Sequence, residues 1–415
     1  MMKRLIYIPC LISLLISSCS TDTESDCHAS EYFLFFDVNK ASNEIYTVKL
    51  TDLMETVEII QLDNSTDEAF TPIFRMAVSD NYFATTCPPE YPVKLYSRKN
   101  GRFIRNIGSR GQGPGEYQRV WNLTLDEPNN RIYLGQPYNS QIYSYGLDGK
   151  YYPDETIYLP EQTQGKFTLY KEKDKLAIIQ APYGAYHRGN TNYEAEKYFC
   201  WLQDIKGNIM QYVPVTEDIA MPRGSSDIWV SKTMKESPIY SIALQPISYT
   251  RPDTLYHYNS NTNKLYPVYA TNAETARYIF TTSAETPLHY YTIQGFYNEK
   301  RGINPENLER RKILQVNKKT SEGKYIRLIN DLLGDIEINS YGFFQEIKDN
   351  YGYIVYHPLD LKEQLEEALV TNTNMSEEAR KRVTTMKNSL DENDNDILVI
   401  SLIPQHFDLT LFISS

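Results

Sequence analysis

The chain has 415 residues, 41% hydrophobic and 23% charged, enough for one large globular domain or two ordinary ones and unlike the composition of disordered chains. Its formal net charge of −11 lacks the basic excess of a phosphate-neutralising surface and argues against nucleic acid as a partner. Five widely spaced cysteines, Cys10, Cys19, Cys27, Cys87 and Cys200, form neither a disulfide framework nor a C-x-x-C zinc pair.

The first twenty residues, MMKRLIYIPCLISLLISSCS, place Lys3 and Arg4 before an apolar run from Leu5 to Ile16, followed by Ser17, Ser18 and Cys19. This is the pattern of a secretory signal, too short in its apolar part to span a bilayer comfortably. The ending I-S-S-C resembles a lipobox. Cleavage there leaves Cys19 as the first residue, and its acyl chains hold the protein at a membrane surface without a spanning helix. Removing residues 1–18 takes away Lys3 and Arg4 and no acid, so the charge falls from −11 to −13. The acidic stretch STDTESDCHAS that follows reads as part of a polar tether. The expected organisation is a signal over 1–18, a tether over 19–44 and one domain over 45–415.

From Val57 onward, short runs of Tyr, Val, Ile and Thr alternate with turn residues, and the chain holds 35 tyrosines. These residues suit a pleated, half-buried surface, so the domain reads as mostly strand. KLYSRKNGRFI and QIYSYGLDGKYY share a strand, an Asn-Gly or Asp-Gly turn and a returning strand, and such turns supply the positive φ of tight hairpins. CWLQDIKGNIMQYV is a third copy, and TLYHYNSNTNKLYPVY and ILQVNKKTSEGKYIRL are weaker ones. Each hairpin follows another pair of strands, giving four strands per unit. Units near 71–108, 119–160, 165–214, 226–271, 277–329 and 340–403 predict an all-β fold, a six-bladed β-propeller. The early strand VEIIQL (Val57–Leu62) has no unit of its own and is expected to complete the last blade beside DILVISLI (Asp396–Ile403), removing an exposed sheet edge. LDLKEQLEEAL and SEEARKRVTTMKNSL predict helices inserted in the last unit, with acids early and Lys387 late in the second. A further short helix is expected over NPENLERRKIL, with Pro305 in its first turn.

GSRGQGPGEYQ (Gly108–Gln118) is glycine-rich in the manner of a phosphate cradle. It lacks the Gly-Lys-Ser/Thr of a P-loop, no helix follows it, and Glu116 would repel phosphate. It reads as a connector between blades, with Gly supplying positive φ and Pro114 fixing its own. His28, His187, His257, His289, His357 and His406 show no metal-ligand spacing. DENDND (Asp391–Asp396) lacks the Gly and distal Glu of an EF-hand loop and reads as a solvated turn. No G-x-S-x-G elbow is present. The long polar insertion APYGAYHRGNTNYEAEKYFCW (Ala181–Trp201) is the candidate binding loop. Tyr183, Tyr186, His187, Arg188 and Tyr193 there are placed to stack on and hydrogen-bond a sugar or peptide.

The stretch RFIRNIGSRGQGPGEYQRVWNLTLDEPNNRIYLGQPYNSQIYSYGLDGKY is similar to NHL-type propeller repeats. With DTLYHYNSNTNKLYPVY, INDLLG and DENDNDILVISL it resembles the six-bladed β-propeller lipoproteins of Bacteroidetes. In such lipoproteins an acidic tether beside the lipidated Cys resembles a surface-export signal. The resemblance implies the fold and a cell-envelope address, that of an outer-membrane lipoprotein on the periplasmic face or cell surface. It carries no activity onto particular residues. The expected role is a binding or scaffold module for a glycan, a peptide or an envelope protein, without a cofactor. The alternative is a hydrolase or lyase with a divalent cation in the central channel. Replacing Cys19 with Ala is expected to move the protein from the membrane to the soluble fraction. Membrane retention together with an unacylated N-terminus by mass spectrometry contradicts the anchor.

Overall fold

The computed structural model describes residues 33–404, except 87–90, 137–138, 161–162, 164–165, 184–196, 222–225, 233–236, 247–253, 275–278, 301–307 and 339–349. All of them belong to one compact unit, Phe33–Ser415. It is a six-bladed β-propeller.

Three strands precede the blades: β1 (Leu34–Phe36), β2 (Ser42–Lys49) and β3 (Thr56–Gln61). Blade 1 is β4–β7 (Arg75–Val78, Tyr82–Thr86, Val93–Ser97, Phe103–Ile107), and a two-residue parallel pair, β8 (Ser109–Arg110) and β9 (Glu116–Tyr117), lies between it and blade 2. Blade 2 is β10–β13 (Asn122–Asp126, Arg131–Gly135, Gln141–Gly146, Ile157–Tyr158). Blade 3 is β14–β17 (Phe167–Glu172, Lys175–Gln180, Tyr198–Asp204, Ile209–Pro214). Blade 4 is β18–β21 (Ser226–Ser231, Ile239–Pro246, Thr254–Asn259, Lys264–Thr271). Blade 5 is β22–β25 (Ile279–Glu285, His289–Tyr297, Leu308–Asn317, Gly323–Asn330), extended by β26 (Ile336–Glu337). Blade 6 has β27 (Tyr351–Tyr356), β28 (Ile397–Leu402) and β3 as its described strands. These bounds follow the six units read from the sequence.

The strand KLAIIQ (β15) shows why the blades stack. Successive side chains of a strand point to opposite faces, and here Leu176 and Ile178 enter the core against blade 2 while Ala177 and Ile179 enter the core against blade 4. Both faces of a blade are therefore apolar, as in sheets covered on both sides. The hydrophobic core is divided accordingly into six clusters, one for each pair of neighbours: 1/2, 2/3, 3/4, 4/5, 5/6 and 6/1. The sixth cluster closes the ring. It forms around β3, which pairs antiparallel with β28 in the register Ile59↔Val399, as VEIIQL predicted.

Residues 34–44 fall in the stretch assigned to the tether. Here β1 pairs in parallel with β21 on the outside of blade 4, and β2 pairs in parallel with β25 on the outside of blade 5. The chain then passes through a helical turn (Leu50–Leu53) into β3. Asn272 pins this strap: its Nδ2 donates to Asp37 at 2.8 Å and its Oδ1 accepts from Val38 N–H at 2.7 Å. Thr51 Oγ donates to Asp331 at 2.6 Å.

The two helices predicted in blade 6 are present, α1 (Pro358–Thr371) and α2 (Glu377–Ser389). Leu361, Leu365 and Ala368 of α1 share one face by their spacing and are buried in the 5/6 core. Ser376 caps α2, accepting from Ala379 N–H at 3.2 Å. The helix expected over Asn304–Leu314 is corrected. From Leu308 onward this stretch is β24, paired with β23 in the register Ile293↔Ile313. Residues 301–307 lie outside the described residues. Burial of Ile313 on one face and of Leu314 and Val316 on the other overrides the helix propensity of Leu, Glu, Arg and Lys.

The described inner strands, those of blades 1 to 5, begin at one face of the ring, here the mouth face, and end at the other, the hairpin face. On the hairpin face, carboxylates stitch neighbouring blades together. Asp126 of blade 2 accepts from Lys171 of blade 3 at 2.5 Å. Glu172 of blade 3 accepts from Tyr240 and Ser260 of blade 4. Glu285 of blade 5 is buried, accepting from Ser241 and His257 of blade 4, the latter at 2.7 Å, and from Lys318 at 2.6 Å. Burial disfavours its charge, but His257 and Lys318 outweigh burial and hold the carboxyl below its usual range. Removing one partner of a buried pair leaves the others uncompensated. Glu285→Gln is therefore expected to cost about 3 kcal/mol of unfolding free energy. Because the native carboxyl titrates below the unfolded one, this stabilisation is complete above pH 4.5 and is lost as the pH falls below it. The denaturation midpoints of the wild type and of the Glu285→Gln variant should converge in acid.

Candidate ligand-binding site at the channel mouth

The connector GSRGQGPGEYQ leads to the mouth. Its glycines do not face a ligand, because Glu116 already occupies the cradle. The Glu116 carboxylate accepts from Gly113 N–H at 2.8 Å and from Ser109 Oγ at 3.3 Å. A Cβ on Gly111 would lie 1.9 Å from Glu116 Oε2, and Gly115 has φ +74°. A side chain at the first position would displace the Glu116 carboxylate, and the positive φ of the second favours glycine strongly. Tyr117 is buried and fixes the loop, its hydroxyl accepting from Val93 N–H at 2.8 Å and donating to Ile107 C=O at 2.6 Å. Val120 is buried in the 1/2 core, and Trp121 N–H bonds Gly135 C=O at 3.0 Å. Trp121 thus stands at the start of the inner strand of blade 2, where the channel opens.

Three other inner strands bring residues to the same place. Phe74, 47% exposed, and Arg75 begin the inner strand of blade 1, and Phe74 meets Trp121 edge-to-face at 5.5 Å. The Arg75 guanidinium carbon lies 5.4 Å from the Phe74 ring centre, 5.7 Å from that of Trp121 and 5.8 Å from that of Trp229. Trp229 belongs to the inner strand of blade 4, opposite blade 1 in a ring of six, so Arg75 reaches across the axis. Lys166, just before the inner strand of blade 3, sets its ammonium 5.2 Å from the Trp121 ring centre. Cations at these distances are attracted by the ring faces, by about 0.5–2 kcal/mol each. The mouth therefore carries two fixed positive charges framed by three aromatic rings.

A second polar pair lies on this face. His357 Nδ1 meets Asp396 Oδ1 at 2.7 Å, with the histidine side chain 65% exposed and the aspartate 7%. Burial raises the Asp396 carboxyl, and Ile73 N–H bonds its other oxygen at 3.3 Å. In the acidic turn, Asp391 accepts from Asn393 N–H at 3.1 Å and Asp394 from Asp391 N–H at 2.8 Å, so these carboxylates serve the turn itself. Among the described residues, no group of three or more His, Cys, Asp or Glu side chains is placed to hold a metal ion.

Of the candidate binding loop, Tyr183 is described. It is buried in the 3/4 core and bridges Met221. Tyr186, His187, Arg188 and Tyr193 lie outside the described residues. The sequence reading did not single out Phe74, Arg75, Trp121, Lys166 or Trp229. Four of them share one signal: Phe74-Arg75, Trp121 and Lys166 sit at the start of the first strand in three successive units.

The family described as domain of unknown function DUF4934 matches residues 33–401. A Bacteroides fragilis protein described as exported has 16% sequence identity and a TM-score of 0.57 over 90% of this chain and 100% of its own. A member of the DUF4221 family from Bacteroides vulgatus has 11% identity and a TM-score of 0.49 over 85% of this chain and 97% of its own. No curated protein matches the chain. Removing the Tyr117 hydroxyl leaves the Val93 N–H and Ile107 C=O without that partner, so Tyr117→Phe is expected to destabilise the protein by about 1–3 kcal/mol in urea unfolding. Unchanged stability would show that the connector is not held by this residue.

Proposed function

The chain belongs to the DUF4934 family, and from that premise we propose that it is a membrane-anchored β-propeller lipoprotein, with NHL-like repeats, that serves as a binding or scaffold module at the outer membrane. Its ligand is a glycan, a peptide or a partner envelope protein, and it engages the mouth face of the ring. The observation that carries this reading is the frame of Phe74, Trp121 and Trp229 around the Arg75 guanidinium. Aromatic and arginine side chains dominate binding energetics where they cluster at one site. The mouth of a closed ring is also the concave place where ligands gather in such scaffolds. Export is supported by the Lys3-Arg4 and apolar leader, and anchoring by Cys19 after Ser17-Ser18. The exported Bacteroides relative of the same fold agrees with an envelope address.

The reading is tested with the full chain carrying Cys19→Ala, screened on a glycan array and against purified outer-membrane proteins encoded beside it. Trp121→Ala and Trp229→Ala are expected to weaken any specific binding at least tenfold while the thermal transition stays cooperative. Specific binding that both variants retain at full strength would remove the mouth as the site.

A further inference from the structure

We propose that the outer wall of blades 4 and 5, where the strap runs, docks on an anionic phospholipid surface; this rests on the reading of Cys19 as the acylated anchor. The strap is apolar where it meets solvent. Among the described residues twelve large hydrophobic side chains are exposed, and four of them, Phe33, Phe35, Ile45 and Tyr46, fall within it at 39–66% exposure. The β1 and β2 strands are the outermost of their sheets, so these side chains stand on the outside of the ring. Phe36 is buried in the 4/5 core, and its neighbour Phe35 points away from that core. Single apolar residues on a surface need no explanation, whereas a group of them marks a contact.

Cations surround this group in a chain that is net acidic, −11. The outer hairpin of blade 5, β24–β25 (Leu308–Asn330), carries seven Lys and Arg against Glu309 and Glu322. Two of them stand beside β2 and are exposed. Lys324 sets its ammonium 5.3 Å from the Tyr46 ring centre, and Arg327 Nη2 donates to Thr47 Oγ at 3.2 Å. Exposed Lys40 precedes β2 and exposed Lys49 ends it. The acids of the strap are engaged within it or beside it, Asp37 by Asn272 and Asn39 and Glu44 by the Tyr46 hydroxyl at 3.0 Å. Other outer hairpins have one property without the other. That of blade 1 (Val93–Ile107) holds five bases and no acid but no exposed large apolar side chain, and that of blade 3 (Tyr198–Pro214) exposes Ile205, Met210 and Tyr212 beside one Asp and one Lys. Charge and apolar area coincide at the strap.

The tether delivers this same wall to the membrane. Fourteen residues separate Cys19 from Phe33, a reach of about 46–50 Å when extended and about 19–22 Å on average for a flexible chain. The strap is the first part of the ring that the tether reaches. At the effective concentration set by so short a link, a weak contact is enough. Apolar side chains enter the headgroup region while cations meet lipid phosphates. With this wall down the ring stands on edge, and its axis runs along the membrane.

Vesicle sedimentation tests the wall apart from the anchor, using the chain from residue 19 onward with Cys19→Ala. A chain this acidic is repelled overall by an anionic surface, so binding requires the local cations. On vesicles of phosphatidylethanolamine and phosphatidylglycerol it is expected to bind saturably, about tenfold more tightly than on phosphatidylcholine, with affinity falling as salt rises. Phe33→Ser with Phe35→Ser, and separately Lys324→Glu with Arg327→Glu, are each expected to weaken binding about tenfold. Both variants should melt as the parent does, because all four side chains are exposed. Ile205→Ser with Met210→Ser in blade 3, and Lys99→Glu with Arg102→Glu in blade 1, are expected to bind as the parent does. No binding to the anionic vesicles, equal binding to the neutral ones, binding unchanged in either strap variant, or equal losses in the blade 1 and blade 3 variants would overturn the proposal. Failure of the anchor would appear instead as an unacylated Cys19 in protein taken from cells, a result that the vesicle measurement does not depend on.

Discussion

The pairing of Thr56–Gln61 with Ile397–Leu402 is the contact on which the architecture rests. Each blade is apolar on both faces and must be covered on both. An open row of six would leave two faces exposed at its ends and one core unformed. The β3 strand comes from the opposite end of the chain and completes blade 6. In doing so it brings Ile60 and Leu62 against Met76, Phe83 and Tyr96 of blade 1. Closure thus converts the last unsatisfied face into the sixth core, and the inner strands are fixed around a common axis. The mouth residues come from blades 1 to 4. They can meet at the axis only in a closed ring.

The two ends of that axis have different chemistry. At the hairpin face, acids are spent on neighbouring blades, Asp126 and Glu172 on the next unit and Glu285 on the preceding one. At the mouth, Arg75 and Lys166 lie against aromatic rings. The glycine-rich connector belongs to neither set. It has the donors of an anion cradle and fills them with its own Glu116 carboxylate. Its contribution to the site is to place Trp121 through the buried Tyr117 and Val120.

Much of this was legible in the sequence because propeller blades are local. Four strands and three turns follow one another in each unit, so strands such as KLAIIQ and turns such as Asn100-Gly101 mark their own places. VEIIQL was legible by exclusion, as a strand with no unit. The parallel strands β1 and β2 were not, since SNEIYTVK has no adjacent partner and pairs with Gly323–Asn330 far along the chain. Leu308–Asn317 was misread for a related reason. Its residues favour a helix locally, and only burial against blades 4 and 6 makes them a strand. The mouth was hidden because its members are spread from Phe74 to Trp229 and carry no motif. Their equivalence appears only when the units are laid over one another.

The strap along blades 4 and 5 also decides how the ring meets mechanical load. A pull on the residues before Phe33 reaches β1 first, where Leu34–Phe36 must slide past Tyr269–Thr271. It next reaches the longer β2, whose ladder along Lys324–Ile329 is stretched lengthwise. Hydrogen bonds loaded along a strand resist together, whereas those at a peeled edge fail one at a time. The strand that closes the ring lies behind both ladders, so tension at the N-terminus is carried by the outer rims of two blades before it reaches the closing pair.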